Sequence, residues 1–164
     1  MCFESTRSRR IILKLKQEHV KENSIETGIE IADSHGIKLS NRSVALLKSI
    51  EAQPGAVPKP MTPPRGSVPN VLIYKVKDKI FAIMSIRGTE AVILKCDPDR
   101  ALFLREQYKG IGHRSHLDPR NWISVKLDSD VPADDVERLV IHSYEQVCLK
   151  LTKKQRAELR DLLS

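Results

Sequence analysis

Apolar and polar positions change period several times along the chain, and each change marks an element. Val71 to Val76 is apolar and rich in β-forming residues, Lys77-Asp78 interrupts it, and Lys79 to Ile86 resumes it. Two such runs around a short polar turn predict a β-hairpin. After the break at Gly88, Ala91 to Lys95 predicts a third strand. Asn121 to Leu127 alternates, with Ile123, Val125 and Leu127 on one side and Trp122, Ser124 and Lys126 on the other, which predicts a half-buried strand. Helical spacing occupies the rest. Ser24 is the expected cap of a helix running to about Ser34, with Ile25, Ile29 and Ala32 on one face and Gly36 at its exit. Ser40 or Asn41 caps the next helix, along Val44, Leu47 and Ile50. Asp97-Pro98 starts another, through Ala101, Leu102 and Leu104 to about Tyr108: the carboxylate accepts from free N–H groups, and the proline sits where no donor is needed. Pro132 with Asp134 and Asp135 opens a helix lined by Val136, Leu139, Val140, Ser143 and Val147. Thr152 caps a last helix, with Leu159, Leu162 and Leu163 opposite the cations Lys153, Lys154, Arg156 and Arg160.

Proline sets the organisation. Six of the nine prolines fall between Pro54 and Pro69. Each removes a backbone donor and fixes φ, so 54–69 reads as an extended, partly polyproline loop in which neither helix nor central strand persists. Residues 1–40 read as a partly helical N-terminal extension, and residues 41–164 as the main domain. The two short helices around His35-Gly36 read as a helical hairpin, because Arg42 and Lys48 are all that the second offers to DNA. The order helix, loop, three strands, helix, strand, helix, helix predicts an α+β fold with an antiparallel sheet covered on one face by helices.

Composition removes several function classes. The 164 residues suffice to bury a core without disulfides or metal. No apolar run is long enough to span a membrane. Residues 1–10 are polar and basic rather than signal-like, and Cys2, Cys96 and Cys148 are few and far apart, which predicts a cytoplasmic protein with reduced thiols. No CxxC, P-loop, GxSxG, HExxH or dinucleotide fingerprint is present, so no enzyme and no cofactor are expected. The net charge of +7 is compatible with a nucleic-acid partner. It is spread along the chain, +2 over 1–53, +2 over 54–70 and +3 over 71–164.

Local clusters say more. Between 109 and 126 stand Lys109, Arg114, Arg120 and Lys126 against the single acid Asp118, together with His113, His116 and Trp122. Exposed cations in a glycine-bearing loop suit phosphate, and Trp122 either stacks a base or fills the sheet. His113 and His116, three apart, have only Asp118 as a nearby candidate for the third ligand a metal would need, so no metal site is expected. Lys75, Lys77 and Lys79 add three cations at a hairpin tip, which equally protect an edge. Cys96 and Cys148 read as buried thiols, and Ser143 and Tyr144 as packing and hydrogen-bonding positions.

The run Ile73-Tyr74-Lys75-Val76-Lys77-Asp78-Lys79-Ile80-Phe81-Ala82 resembles a recurring piece of the MmcQ/YjbR-like family. So do Leu94-Lys95-Cys96-Asp97-Pro98, Leu104-Arg105-Glu106-Gln107-Tyr108, Gly110-Ile111, His116, Trp122 with Ser124-Val125, Asp130-Val131-Pro132 and His142-Ser143-Tyr144, preceded by Pro54-Gly55-Ala56. The resemblance covers about residues 44–160. It departs from the family at the proline-rich 58–69 and at Arg120-Asn121-Trp122, where the family has a histidine before the tryptophan. It implies a compact α+β domain of the CyaY-like (frataxin-like) type and DNA binding through a double-wing arrangement of hairpins. The expected phosphate contacts are then Lys75, Lys77, Lys79, Lys109, Arg114, His116, Arg120, Trp122 and Lys126, with weak sequence preference. The alternative is a protein-interaction or small-ligand module on the same fold, docking through 1–40 or 54–69.

Overall fold

The computed structural model describes residues 25–164. The expectations for Cys2, the polar and basic residues 1–10 and the cap at Ser24 lie outside them.

Helix α1 (Gly28–Ser34) starts later than periodicity suggests. Thr27 caps it in a reciprocal box: its hydroxyl accepts from the Glu30 N–H at 3.2 Å, and the Glu30 carboxylate accepts from the Thr27 N–H at 2.7 Å. Ile25 is therefore outside the helix and 63% exposed, while Ile31 and Ala32 join the core. Gly28 opens the helix because there is room for nothing larger. A Cβ there would run into the Tyr74 hydroxyl and Leu72. Glu51 ties this corner together, accepting from the Gly28 N–H at 2.6 Å and the Tyr74 hydroxyl at 2.7 Å. Ser40 caps α2 (Asn41–Glu51), which buries Ser43, Leu46, Leu47 and Ile50 and leaves Val44 half-buried.

The proline-rich segment is not all loop. Its residues Val57–Met61 form β1, paired antiparallel with β2 (Val71–Val76). Proline is tolerated because β1 is the edge of the sheet. Pro58 and Pro60 are two apart, so both missing donors fall on the same side of the strand, where no neighbour asks for them. The β2–β3 (Lys79–Ser85) hairpin turns at Lys77 and Asp78, whose φ of 47° and 65° are both positive, as the preferred two-residue turn requires. With β4 (Ala91–Lys95), β5 (Ile111–Gly112) and β6 (Trp122–Lys126) the sheet has six strands in the order β1-β2-β3-β4-β6-β5, all pairs antiparallel. Two of the six, β1 and β5, were not expected from the pattern.

Helices α3 (Pro98–Gln107), α4 (Ala133–Cys148) and α5 (Lys153–Asp161) begin after Asp97, Pro132 and Thr152, as the cap residues predict. The core of α4 is the expected set Val136, Leu139, Val140, Ser143 and Val147. It lies on β3 and β4, with α2 alongside it. Helix α5 ends at Asp161, so Leu162 and Leu163 do not share its apolar side; they are 64% and 71% exposed, and only Leu159 is buried. Leu102 of α3 is exposed too, and Ala101 and Leu104 anchor that helix. Cys96 is buried, which pushes its thiol up to about 11, and Cys148 is half-buried.

One irregularity organises the centre. The β2–β3 register slips between Tyr74 and Lys75, so Phe81 is an extra residue in β3. The bulge re-aims its ring: both Phe81 and Ala82 are fully buried, and Phe81 meets Tyr144 of α4 edge-on at 5.4 Å. An unbroken β3–β4 ladder would place Phe81 opposite Lys95. Instead the Ser143 hydroxyl of α4 stands between their backbones, accepting from the Lys95 N–H at 2.8 Å and donating to the Phe81 carbonyl. Ser143 is completely buried. Ser143→Ala leaves both backbone groups without that partner and is expected to cost about 1–3 kcal/mol. Urea unfolding should show the midpoint lowered at unchanged slope.

Candidate functional site

Register decides which expected residues meet. Val76 pairs with Lys79, so the hairpin turn closes one end of the sheet. Lys95 pairs with Trp122, which brings the C-terminal end of β4 and the start of β6 to that same end. Gly112 pairs with Ser124, so the loop 113–121 leaves β5 and enters β6 there as well. The turn end therefore gathers Lys75, Lys77, Lys79, Arg114, His116, Arg120 and Trp122. Lys126 pairs with Ala91 at the opposite end, and its N–H bonds the Gly110 carbonyl next to Lys109. Four residues of strand separate Trp122 from Lys126, about 13 Å. Lys109 and Lys126 thus stand apart from the other seven.

The gathered residues differ in what they have free. The Lys77 ammonium is engaged by Glu158 of α5 at 2.6 Å, and this pairing holds the Glu158 carboxyl below its ordinary value. Lys75 is half-buried and Lys79 exposed. Arg114, His116 and Arg120 are exposed on the loop. Arg120 reaches back to Asp118 at 3.3 Å. Asp118 organises the turn: it accepts from the Arg120 N–H at 3.0 Å and the Asn121 side chain at 2.7 Å, bonds that hold its carboxyl below the usual range. His113, His116 and Asp118 are all exposed, and among the described residues no three His, Cys, Asp or Glu side chains converge as metal ligands would.

Trp122 neither fills the core nor stands free. It is half-buried on the side of β6 opposite Ile123 and Val125, and the Lys95 ammonium lies over its ring at 5.4 Å. Burial and the charges of Lys150 and Lys79 pull the Lys95 ammonium below its usual value. Lys95 and Lys150 are thus part of the cationic end, although neither stands out in sequence: one is the last residue of an apolar strand, the other follows α4. Arg105 is the third residue the sequence hides. Its guanidinium donates to the Pro119 carbonyl, to the Trp122 carbonyl at 2.7 Å and to the Gly112 carbonyl at 3.4 Å, so one side chain of α3 clamps both ends of the loop. A signal for it existed only in its place on the last turn of a helix that precedes the loop. His142 faces the same region, where its Nε2 accepts from the Asp97 N–H at 3.2 Å.

Known proteins share this fold. A model of the YjbR family matches residues 52–146, from the end of α2 through most of α4. The uncharacterized protein YjbR of Escherichia coli (strain K12) is 34% identical over 83 residues, covering 50% of this chain and 70% of that protein. The uncharacterized protein YbdF of Escherichia coli O157:H7 is 28% identical over 93 residues, 56% of this chain and 76% of its own length. Among solved structures, a Deinococcus radiodurans protein with a DUF419 domain superposes with a TM-score of 0.62 at 29% identity, covering 74% of this chain and 91% of that one. A Pseudomonas syringae protein shares the fold with a TM-score of 0.51 at 19% identity, over 66% and 98% of the two chains.

The clamp has a measurable consequence. Arg105→Ala removes three carbonyl contacts worth about 1 kcal/mol each, so amides in 113–121 should exchange at least about tenfold faster while those of β2 and β3 keep their protection. Acid acts on the other half of the loop. The Asp118 carboxyl is depressed in the folded state, so its ordering contribution is complete above the unfolded value of about 3.9 and is lost as pH falls through the lower folded value. The Arg120 amide resonance should move in that window.

Proposed function

The chain belongs to the YjbR family, and from that premise we propose that it binds DNA without enzymatic activity, through phosphates, at the turn end of its sheet. The observation that carries the reading is the convergence there of the hairpin lysines with the loop 113–121. Backbone phosphates need exposed cations at several points, and Lys79, Arg114 and Arg120 supply them from two separate segments, with half-buried Lys75 beside them. These are the two projections that a double-wing arrangement calls for. Trp122 holds the loop's exit rather than reading sequence, which makes the binding tolerant of sequence. Support for a CyaY-like arrangement is the single antiparallel sheet with α2 and α4 side by side on one face. A cytoplasmic setting belongs to the same reading. No helix among the described residues is long and apolar enough to cross a membrane.

A second reading, a protein-interaction module, is favoured by adjacent Leu102 and Phe103 on α3, 61% and 62% exposed. Binding experiments separate the two. Anisotropy of a labelled duplex should report binding that weakens about 100-fold between about 50 and about 200 mM salt if four phosphates are contacted. The pair Arg114→Glu and Arg120→Glu should abolish it, and Lys126→Glu, at the far end, should leave it nearly unchanged. No binding at the lower salt, or equal loss from Lys126→Glu, would refute DNA binding at this end.

A further inference from the structure

The side of the sheet away from the helices is apolar where a solvated face would be polar. Among the described residues, the core that the helices share with the sheet takes Leu72, Tyr74, Met84, Val92 and Leu94 and leaves out Ile73, Ile83 and Ile93. Register lines these three up on the other side: Lys59 pairs with Ile73, Ile73 with Ile83, Ile83 with Ile93 and Ile93 with Ser124. An antiparallel sheet with one solvated face alternates apolar and polar residues. Val71–Tyr74 and Ala91–Leu94 are instead unbroken apolar runs, the pattern of strands covered on both sides. Ile83 is half-buried between the buried Ile73 and Ile93, and Val57 and Met61 extend the surface to the β1 edge, 39% and 49% exposed.

Charge selects what covers this face. The strands turn Lys59, Lys75, Lys95 and Lys126 to the isoleucine side and no acid with them. A second copy would bring four more lysines against these. Residues 1–24 carry six Lys or Arg against three Glu. Both self-occupants are therefore repelled. Single-stranded nucleic acid stacks its bases on aromatic rings. Trp122 is the one aromatic residue on this side, and the Lys95 ammonium already lies over its ring at 5.4 Å. We propose that this face docks an amphipathic helix of a partner protein, its apolar stripe on Ile73, Ile83 and Ile93 and its acidic flanks on the lysines. The five strands from β1 to β6 span about 19 Å, room for a helix about 10 Å wide with a carboxylate on either side. Lys75 and Lys95 border the turn end, whereas Lys59 and Lys126 lie away from it. The surface is also distinct from Leu102 and Phe103 of α3, a helix that joins the core on the opposite side through Ala101 and Leu104.

Trp122 is the only tryptophan and is half-buried on this side, so its fluorescence reports the docking. The probe is a synthetic helix of about 18 residues without tryptophan, leucine along one stripe and glutamate on both flanks. With the full chain it should shift the Trp122 emission saturably to shorter wavelength, and the same helix with lysine for glutamate should not. The pair Lys59→Glu and Lys126→Glu changes two exposed side chains and should raise the dissociation constant at least about tenfold. Ile83→Ser should weaken docking as well, and Phe103→Asp should leave it unchanged. No saturable shift, an equal response to the lysine helix, or an unchanged constant in a folded Lys59→Glu, Lys126→Glu variant would overturn the proposal. So would a dimer in sedimentation that Ile83→Ser dissociates, which assigns the face to a second copy. Tighter binding of oligothymidylate, lost in Ile83→Ser, would overturn it in favour of single-stranded nucleic acid.

Discussion

The bond pattern at the β3 bulge is the constraint from which the cationic end follows. A ladder hydrogen bond between Phe81 and Lys95 is replaced by a buried hydroxyl from α4. A helix packed on a sheet by apolar contacts alone can slide by fractions of a turn, since those contacts are non-directional. Ser143 removes that freedom because its two partners are backbone groups of two different strands, and a buried N–H or carbonyl left unpaired is costly. The bulge and the hydroxyl also need each other. Without the extra residue Phe81 would not face α4, and without the hydroxyl the bulge would leave two backbone groups unmatched.

Both edges of the sheet are finished by side-chain or proline chemistry rather than by more strands. At β1, Pro58 and Pro60 leave gaps in the row of donors that another chain would need for pairing. At the other edge β5 is only two residues long and covers little of β6. Arg105 closes what β5 leaves open, since its guanidinium occupies the Trp122 carbonyl as a neighbouring strand's N–H would. The cost is that the loop 113–121 depends on one residue of α3, an element anchored by little more than Ala101 and Leu104. A loop on a single clamp can adjust without disturbing the core.

Elements with a local cause were legible in the sequence. The caps at Ser40, Asp97 and Thr152, the turn at Lys77-Asp78 and the alternation of Ile123, Val125 and Leu127 each rest on neighbours a few residues apart. The start of α1 was legible too, since Thr27 and Glu30 have capping-box spacing, but the apolar Ile25 pulled the expected boundary outward. Strand β1 was not, because proline argues against a strand until the edge position is known. The site divided in the same way. That the cations of 75–79 and 113–121 share an end depends on strand order, which no local pattern carries. Lys95, Lys150 and Arg105 act across tens of residues, and each looks locally like an ordinary strand end, turn or helix surface.

Net charge is a poor guide to this molecule for a structural reason. Several of its acids are committed to the backbone: Asp97 caps α3, Asp118 orders the loop, and Asp130 accepts from the Lys109 and Gly110 N–H groups at 2.9 and 2.8 Å. Glu90 accepts from Ser40 and Ser43 at the start of α2, and Glu51 from Gly28 and Tyr74. Carboxylates so placed face partial positive charge from N–H and O–H groups, which offsets much of their local field. Apart from Arg105 and Arg42, which donate to backbone carbonyls, the cations have no such duty. Among the described residues only Lys77, Arg120 and Arg138 pair with an acid. These acids are fixed at turns and helix starts by the fold's own donors. Among the described lysines at the turn end, Lys77 alone is paired with an acid of this chain.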